Sequence, residues 1–288
     1  MEKPNTTYPK LLMEKAAIYQ DRPAMRAKYK GIWQEISWTQ YLEKVKFLCL
    51  GLLELGMEPG DHASILSENC PEWLFADLAI QSLRGVTVGI YPTNSPDQVK
   101  YIVDHSRTRF IVLEDQEQVD KILEVKKELP LLKGIIAIDM KGLRHYDDPL
   151  IISYKEVEEL GRKAEQKKAG HFEHLVSQTN TEDVAFMVYT SGTTGPPKGC
   201  MIQHQNHIYT IRAINDIFKF TEKIRCYLTC LFAISLNGVF LSRFHWYLGT
   251  QSTLQNPSTR FKKIFKRYPR PFLWLSRESW KKCTPPFV

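Results

Sequence analysis

The stretch VYTSGTTGPPKGCM, Val188 to Met201, gathers three glycines, four aliphatic hydroxyls (Thr190, Ser191, Thr193 and Thr194), two prolines and one lysine between apolar flanks. Such a density of helix and strand breakers predicts a loop. Gly192, Gly195 and Gly199 let the backbone come close to a ligand and turn its amides toward it. The hydroxyls can donate to phosphate oxygens, and Lys198 adds a compact cation. This chemistry suits the phosphates of a nucleoside triphosphate. Neither familiar phosphate loop fits. A Walker loop needs Gly before the Lys and Ser or Thr after it, and Pro197 and Gly199 stand there. The dinucleotide fingerprint is G-x-G-x-x-G, whereas Gly192 and Gly195 are spaced G-x-x-G.

The elements that must position this loop follow from periodicity and capping signals. MRAKYKGIWQEISW, residues 25–38, reads as a hairpin turning at Lys30-Gly31. Ser37 with Gln40 makes a capping box for a helix whose apolar face carries Tyr41, Leu42, Val45, Leu48, Cys49, Leu52 and Leu53, ending at Gly56. Strands are expected at 62–67, 86–90, 110–113, 134–138 and 184–189. Helices between them open at Pro71 and at Ser95-Pro96 and fill the charged stretch between 113 and 134. Strands alternating with helices at this spacing predict a parallel sheet with crossover helices, a three-layer α/β sandwich. Residues 155–183 are charged and poor in apolar side chains, and read as helix ends and a linker. After the loop come a short strand at 200–203 and a helix at 204–220.

Thr190-Ser191-Gly192-Thr193-Thr194-Gly195, a variable residue, then Pro197-Lys198-Gly199 resembles the phosphate loop of the adenylate-forming enzymes, the superfamily of AMP-dependent synthetases and ligases. GDHASILSENCPEWLFADLA (60–79) and GIYPTNSPDQVKYIVDHS (89–106) look like its long-chain fatty acyl-CoA synthetase branch. His204 and Asn206 resemble the family's "SH.N" start of the next helix, with Gln203 where Ser is usual. The likeness runs from about Tyr8 to Phe220.

The resemblance implies a fold and a chemistry. The fold is the N-terminal portion of the adenylate-forming enzyme, parallel sheets flanked by helices, truncated before the C-terminal domain. A partial AMP-binding domain would occupy 1–222. The reaction joins a fatty acid to coenzyme A at the expense of ATP, through acyl-AMP and pyrophosphate. Ser191, Gly192, Thr193, Thr194, Gly195 and Lys198 would hold the β- and γ-phosphates, and Thr190 would ligate Mg²⁺. No catalytic residue is assigned. The 288 residues contain no Tyr-Gly-x-Thr-Glu type motif, no counterpart of the ribose-binding Asp and no adenylation Lys. A chain retaining the ATP loop but inactive is therefore expected, or a non-catalytic nucleotide-binding remnant.

Residues 223–288 depart from the family pattern. The segment 252–288 carries nine Lys or Arg and one Glu, so the net charge of +7 belongs to the tail and the remainder is near neutral. Reading plausible codons one nucleotide earlier permits L-P-L-C-H-I-S-E-R over 228–238 and synthetase-like segments over 251–265 and 272–286. In the last window Trp280-Lys281 must yield a Glu codon. Tyr247-Leu248-Gly249-Thr250 fits the family in the original frame. The expectation is a frame shift near Lys223, a return near Trp246 and a second shift near Thr250. No nucleic-acid partner is then needed to explain the basic charge.

At 43% hydrophobic residues the chain has ample core material, yet no run reaches the ~18 apolar residues of a membrane span. MEKPNTTYPK has no apolar signal core, and the six cysteines form no CxxC pair. A cytoplasmic chain of free thiols is expected, with peripheral membrane association as the resemblance implies. Trp33, Trp38 and Trp73 read as core or edge residues, and His62, His105 and His171 as surface residues.

Overall fold

The computed structural model describes residues 5–190, 195–218, 225–228 and 251–254. The amino-terminal helix α1 (Tyr8–Tyr19) leads into the hairpin β1 (Pro23–Tyr29) and β2 (Ile32–Ser37). Lys30 and Gly31 both have positive φ, 45° and 87°, the backbone of a type I′ turn, whose twist matches that of the paired strands. Helix α2 (Trp38–Glu54) starts at the Ser37–Gln40 capping box and buries Tyr41, Val45, Leu48 and Leu52.

From there strands and helices alternate: β3 (His62–Leu66), α3 (Pro71–Ser82), β4 (Val86–Ile90), α4 (Pro96–His105), β5 (Thr108–Leu113), α5 (Gln116–Val125), β6 (Gly134–Ala137) and β7 (Ile151–Ser153). Two helices follow, α6 (Tyr154–Lys167) and α7 (His171–Ser177), then β8 (Val184–Thr190), β9 (Lys198–Gln203) and α8 (His204–Phe218). These strands form a seven-stranded sheet ordered β7-β6-β5-β3-β4-β8-β9, parallel except for β9, which returns antiparallel to β8. Two further strands, β10 (Arg225–Leu228) and β11 (Gln251–Leu254), join β1 and β2 in a four-stranded sheet. Both lie within residues 223–288, the segment expected to be out of frame, whose other residues fall outside the described ones.

The strands β3, β4, β5, β6 and β8 are largely buried and near-continuous apolar runs, as parallel strands covered on both faces are, whereas β7 is half-buried and the antiparallel edge strand β9 is partly exposed. Side-chain alternation distributes them. Phe110, Val112 and Ile136 pack with α1, α2, α3 and α6, while Ile111, Leu113, Ile135 and Ala137 pack with α4 and α5. This is the expected α/β sandwich. Trp38 and Trp73 are buried, and Trp33 is an exposed edge residue.

The reading of 155–183 as helix ends and linker is corrected. Helix α6 lies against α2 so closely that a Cβ on Gly161 would sit 1.7 Å from the Phe47 carbonyl oxygen, and one on Gly51 would sit 2.0 Å from that of Val157. Only Tyr154, Val157 and Gly161 of α6 are buried, a narrow stripe at helical spacing in an otherwise charged helix. The charges also serve the contact, since Lys44 pairs with Glu158 at 3.0 Å and Lys46 with Glu165 at 3.4 Å. Composition hid a packed helix because a glycine-mediated contact needs few apolar side chains.

Candidate phosphate-binding turn

Strand β8 enters the large sheet beside β4, with Thr87 opposite Phe186 and Gly89 opposite Val188. Its start is fixed by Asp183. That carboxylate accepts the Asn180 amide at 2.8 Å and Arg84 Nε and Nη2 at 2.9 and 3.0 Å. Burial alone would push the Asp183 pKa up, but Arg84 and the Asn180 amide outweigh it and hold the carboxyl below its ordinary range.

The strand delivers Thr190 to the carboxyl edge of the sheet, where ligands of α/β folds bind. The chain then turns and returns as β9, which places Lys198 directly opposite Thr190 across the antiparallel pair. Both side chains are exposed, and among the described residues Lys198 has no carboxylate partner. Gly195 has φ +89°, which glycine adopts without strain. Ser191, Gly192, Thr193 and Thr194 lie outside the described residues. Of the expected site residues, the structure therefore brings together Thr190 and Lys198, with Gly195 at the turn.

Gly199 has a packing role that the motif alone does not reveal. A Cβ there would lie 2.6 Å from Met187 Sδ and 3.2 Å from Tyr189 Cζ, so its absence lets the Tyr189 ring cross β9. Tyr189 in turn meets α4, a helix for which no role in the site was expected. The Tyr101 hydroxyl donates to the Pro197 carbonyl at 2.9 Å, and His105 Nδ1 lies 2.7 Å from the Tyr189 hydroxyl. His105 is exposed, as expected, but it is not idle. No short-range signal marks these residues, because their partners are remote in sequence.

The "SH.N"-like segment divides in two. Asn206 is exposed, whereas His204 is buried and its Nδ1 accepts the Tyr8 amide at 3.4 Å. His207 Nδ1 lies 2.5 Å from the Tyr8 hydroxyl. The helix after the turn is thereby tied to the first helix of the chain.

The donor set suits a phosphate chain better than a protein-built metal site. Among the described residues no three His, Cys, Asp or Glu side chains converge on a metal position. Thr190 could supply one oxygen, which fits Mg²⁺, an ion usually held by few protein groups together with phosphates and water.

A parallel sheet clad on both faces, carrying a hydroxyl-and-lysine turn at its carboxyl edge, is the architecture of the adenylate-forming enzymes. A long-chain-fatty-acid-CoA ligase from Archaeoglobus fulgidus has this fold, with a TM-score of 0.72 at 15% identity over 88% of this chain and 48% of that one. Residues 12–270 match the AMP-binding enzyme family, and the chain belongs to it. Its relatives include the long-chain-fatty-acid–CoA ligase ACSBG2 of Xenopus laevis, 33% identical over 76% of this chain, and ACSBG1 of Bos taurus, 34% identical over 67%. The chain spans 29% and 26% of the lengths of these two relatives. No helix among the described residues is long and apolar enough to cross a membrane.

Proposed function

We propose that this chain is the phosphate-holding part of a long-chain fatty acid–CoA ligase, and that the 288 residues as they stand bind Mg·ATP without completing the reaction. In the whole reaction a fatty carboxylate attacks the α-phosphorus of ATP and expels pyrophosphate. The thiol of coenzyme A then displaces AMP. Two observations support the part assigned here. Thr190 faces Lys198 across the β8–β9 pair at the carboxyl edge of the sheet, and the family match takes in the entire turn.

The role of this chain's own groups is positioning and charge neutralisation. The Lys198 ammonium, opposite Thr190, would meet phosphate oxygens, and the Thr190 hydroxyl would serve as donor or as one metal ligand. Mg²⁺ would supply charge neutralisation between the phosphates. The proposed inactivity concerns these 288 residues alone, in which the acidic and lysine motifs expected from the resemblance do not occur. The frame-shift account of 223–288 belongs to the same reading; resequencing the coding DNA decides it, and an alternative frame that does not spell the synthetase segments would overturn it.

Thermal melting with and without Mg·ATP tests the proposal. Ligand at 100 times its Kd stabilises the folded state by about 2.7 kcal/mol, a readable rise in Tm. Stabilisation without fatty-acid-dependent pyrophosphate exchange is the expected pair of results. Exchange activity would overturn the inactivity, and no thermal shift at millimolar Mg·ATP would overturn the site.

Peripheral membrane association is part of the same proposal. Its support is the tip of the β1–β2 hairpin, where Tyr29, Ile32 and Trp33 are exposed beside Lys28 and Lys30. Aromatic and basic side chains together favour an anionic interface. Co-sedimentation with phosphatidylserine vesicles should fall on changing Ile32 and Trp33 to Ser, and equal sedimentation would remove this support.

A further inference from the structure

Helix α4 is amphipathic, and Val99, Ile102 and Val103 supply its core-facing side. Tyr101 and His105 lie off that side, four residues apart, so they neighbour each other on the helix surface. Their rings stack with centroids 5.4 Å apart and planes 23° from parallel. The Tyr189 ring meets both edge-on, at 6.4 Å from Tyr101 and 5.7 Å from His105. Such edge-to-face geometry is the favoured aromatic contact.

Each ring also carries a polar contact, and the two contacts reach opposite limbs of one turn. Tyr101 donates to the carbonyl of Pro197, the peptide that leads into Lys198. His105 meets the hydroxyl of Tyr189, the residue before Thr190. Burial, aided by the nearby Tyr101 and opposed by a hydrogen bond from Ser106, raises the Tyr189 pKa to about 12. The phenol is protonated at neutral pH and can donate to His105 Nδ1. A hydrophobic cover for β8 and β9 would need the rings but neither of these bonds.

We infer that Tyr101 and His105 are positioning residues that set the separation of Thr190 and Lys198, and with it the reach of the lysine toward the β- and γ-phosphates of ATP. The inference rests on the phosphate-site reading given above. It assigns to α4 a part in nucleotide binding with no contact to the nucleotide.

Tyr101→Phe keeps the ring and removes one hydrogen bond, so the fold should persist; His105→Ala removes the second, and His105→Asn restores an acceptor near the Nδ1 position. Titration calorimetry on the full chain with Mg·ATP and with AMP separates positioning from general damage. Tyr101→Phe and His105→Ala should each weaken Mg·ATP about 3- to 10-fold, the scale of one neutral hydrogen bond, with His105→Asn recovering most of the loss. AMP lacks the β- and γ-phosphates, so whatever affinity the chain has for it should be equal in all variants, and the nucleotide-free melting temperature of each variant should match wild type. Amide hydrogen exchange at 198–200 should quicken by a similar factor in Tyr101→Phe. A wild-type chain that binds Mg·ATP, with variants that match it in affinity and exchange, would overturn the inference and leave the site standing. Parallel losses for ATP and AMP would also overturn it, as a structural defect. A wild-type chain that binds neither nucleotide would sink the site and this inference together.

Discussion

Lys198→Ala should weaken Mg·ATP binding to this chain by about 10- to 100-fold, because hydrogen bonds to charged groups are worth about 1.5–3 kcal/mol. The lysine stands at the first residue of β9, exposed, opposite Thr190, and without a carboxylate partner among the described residues. No competing ion pair among them has to be broken before it meets a phosphate. For the same reason its loss should leave folding intact, since an exposed side chain at a strand end carries little packing. The melting temperature without nucleotide should stay within about 1 °C of wild type, while the Mg·ATP-induced rise shrinks or vanishes. Lys198→Arg retains the charge with a planar fork in place of a point cation, and should fall between the two. Calorimetry with Mg·ATP and AMP is the deciding measurement. If Lys198→Ala binds both as tightly as wild type, Lys198 is a solvated surface lysine and the assignment of the turn fails.

Gly161→Ala should produce the largest loss of stability. The added methyl would fall 1.7 Å from the Phe47 carbonyl oxygen and 2.7 Å from the Gly51 amide nitrogen. Both are backbone atoms of α2, so no rotamer change relieves the clash and α6 must move outward as a body. That movement separates the buried Tyr154 and Val157 from α2 and loosens the Lys44–Glu158 pair. Overpacking usually costs about 1–3 kcal/mol, and a rigid backbone neighbour places this site at the upper end or above. Each kcal/mol shifts Tm by about 2–4 °C at this chain length, so a fall of about 5–10 °C is expected. Lys163→Ala, two residues on and exposed, serves as the control and should change Tm by less than about 2 °C. A Gly161→Ala variant that melts with wild type would show that the two helices do not touch backbone to backbone.

Much of the fold was legible because its signals are local. The Ser37–Gln40 capping box and the Ser95 cap act within one turn of their own helices, and both formed where expected, Ser95 with Gln98 as its reciprocal partner. Strand β4 has its expected bounds, since a short apolar run between Gly85 and Tyr91 has few alternatives. Lys30-Gly31 turned as a two-residue hairpin because Gly31 takes positive φ without strain and a turn with positive φ at both positions has the twist that suits the strands. The segment 155–183 failed the same method. Its helix α6 buries three residues, one of them a glycine with no side chain, so hydropathy saw only the charged majority.

The candidate site divides along the same line. The amino-acid types from Thr190 to Gly199 by themselves pointed to a loop suited to phosphate oxygens with Lys198 as its cation, although Thr190 ends β8 and Lys198 and Gly199 open β9. These are properties of backbone freedom and side-chain chemistry, present before any folding. Tertiary structure alone decided that Lys198 faces Thr190, that Gly199 leaves room for the Tyr189 ring, and that Tyr101 and His105 hold the two limbs. It also decided that Tyr8 meets His207 across 199 positions of chain. Contacts between remote residues depend on the order in which strands pair and on the faces that helices present. A missing side chain, such as that of Gly161 or Gly199, acquires meaning only once the neighbour that fills its space is known.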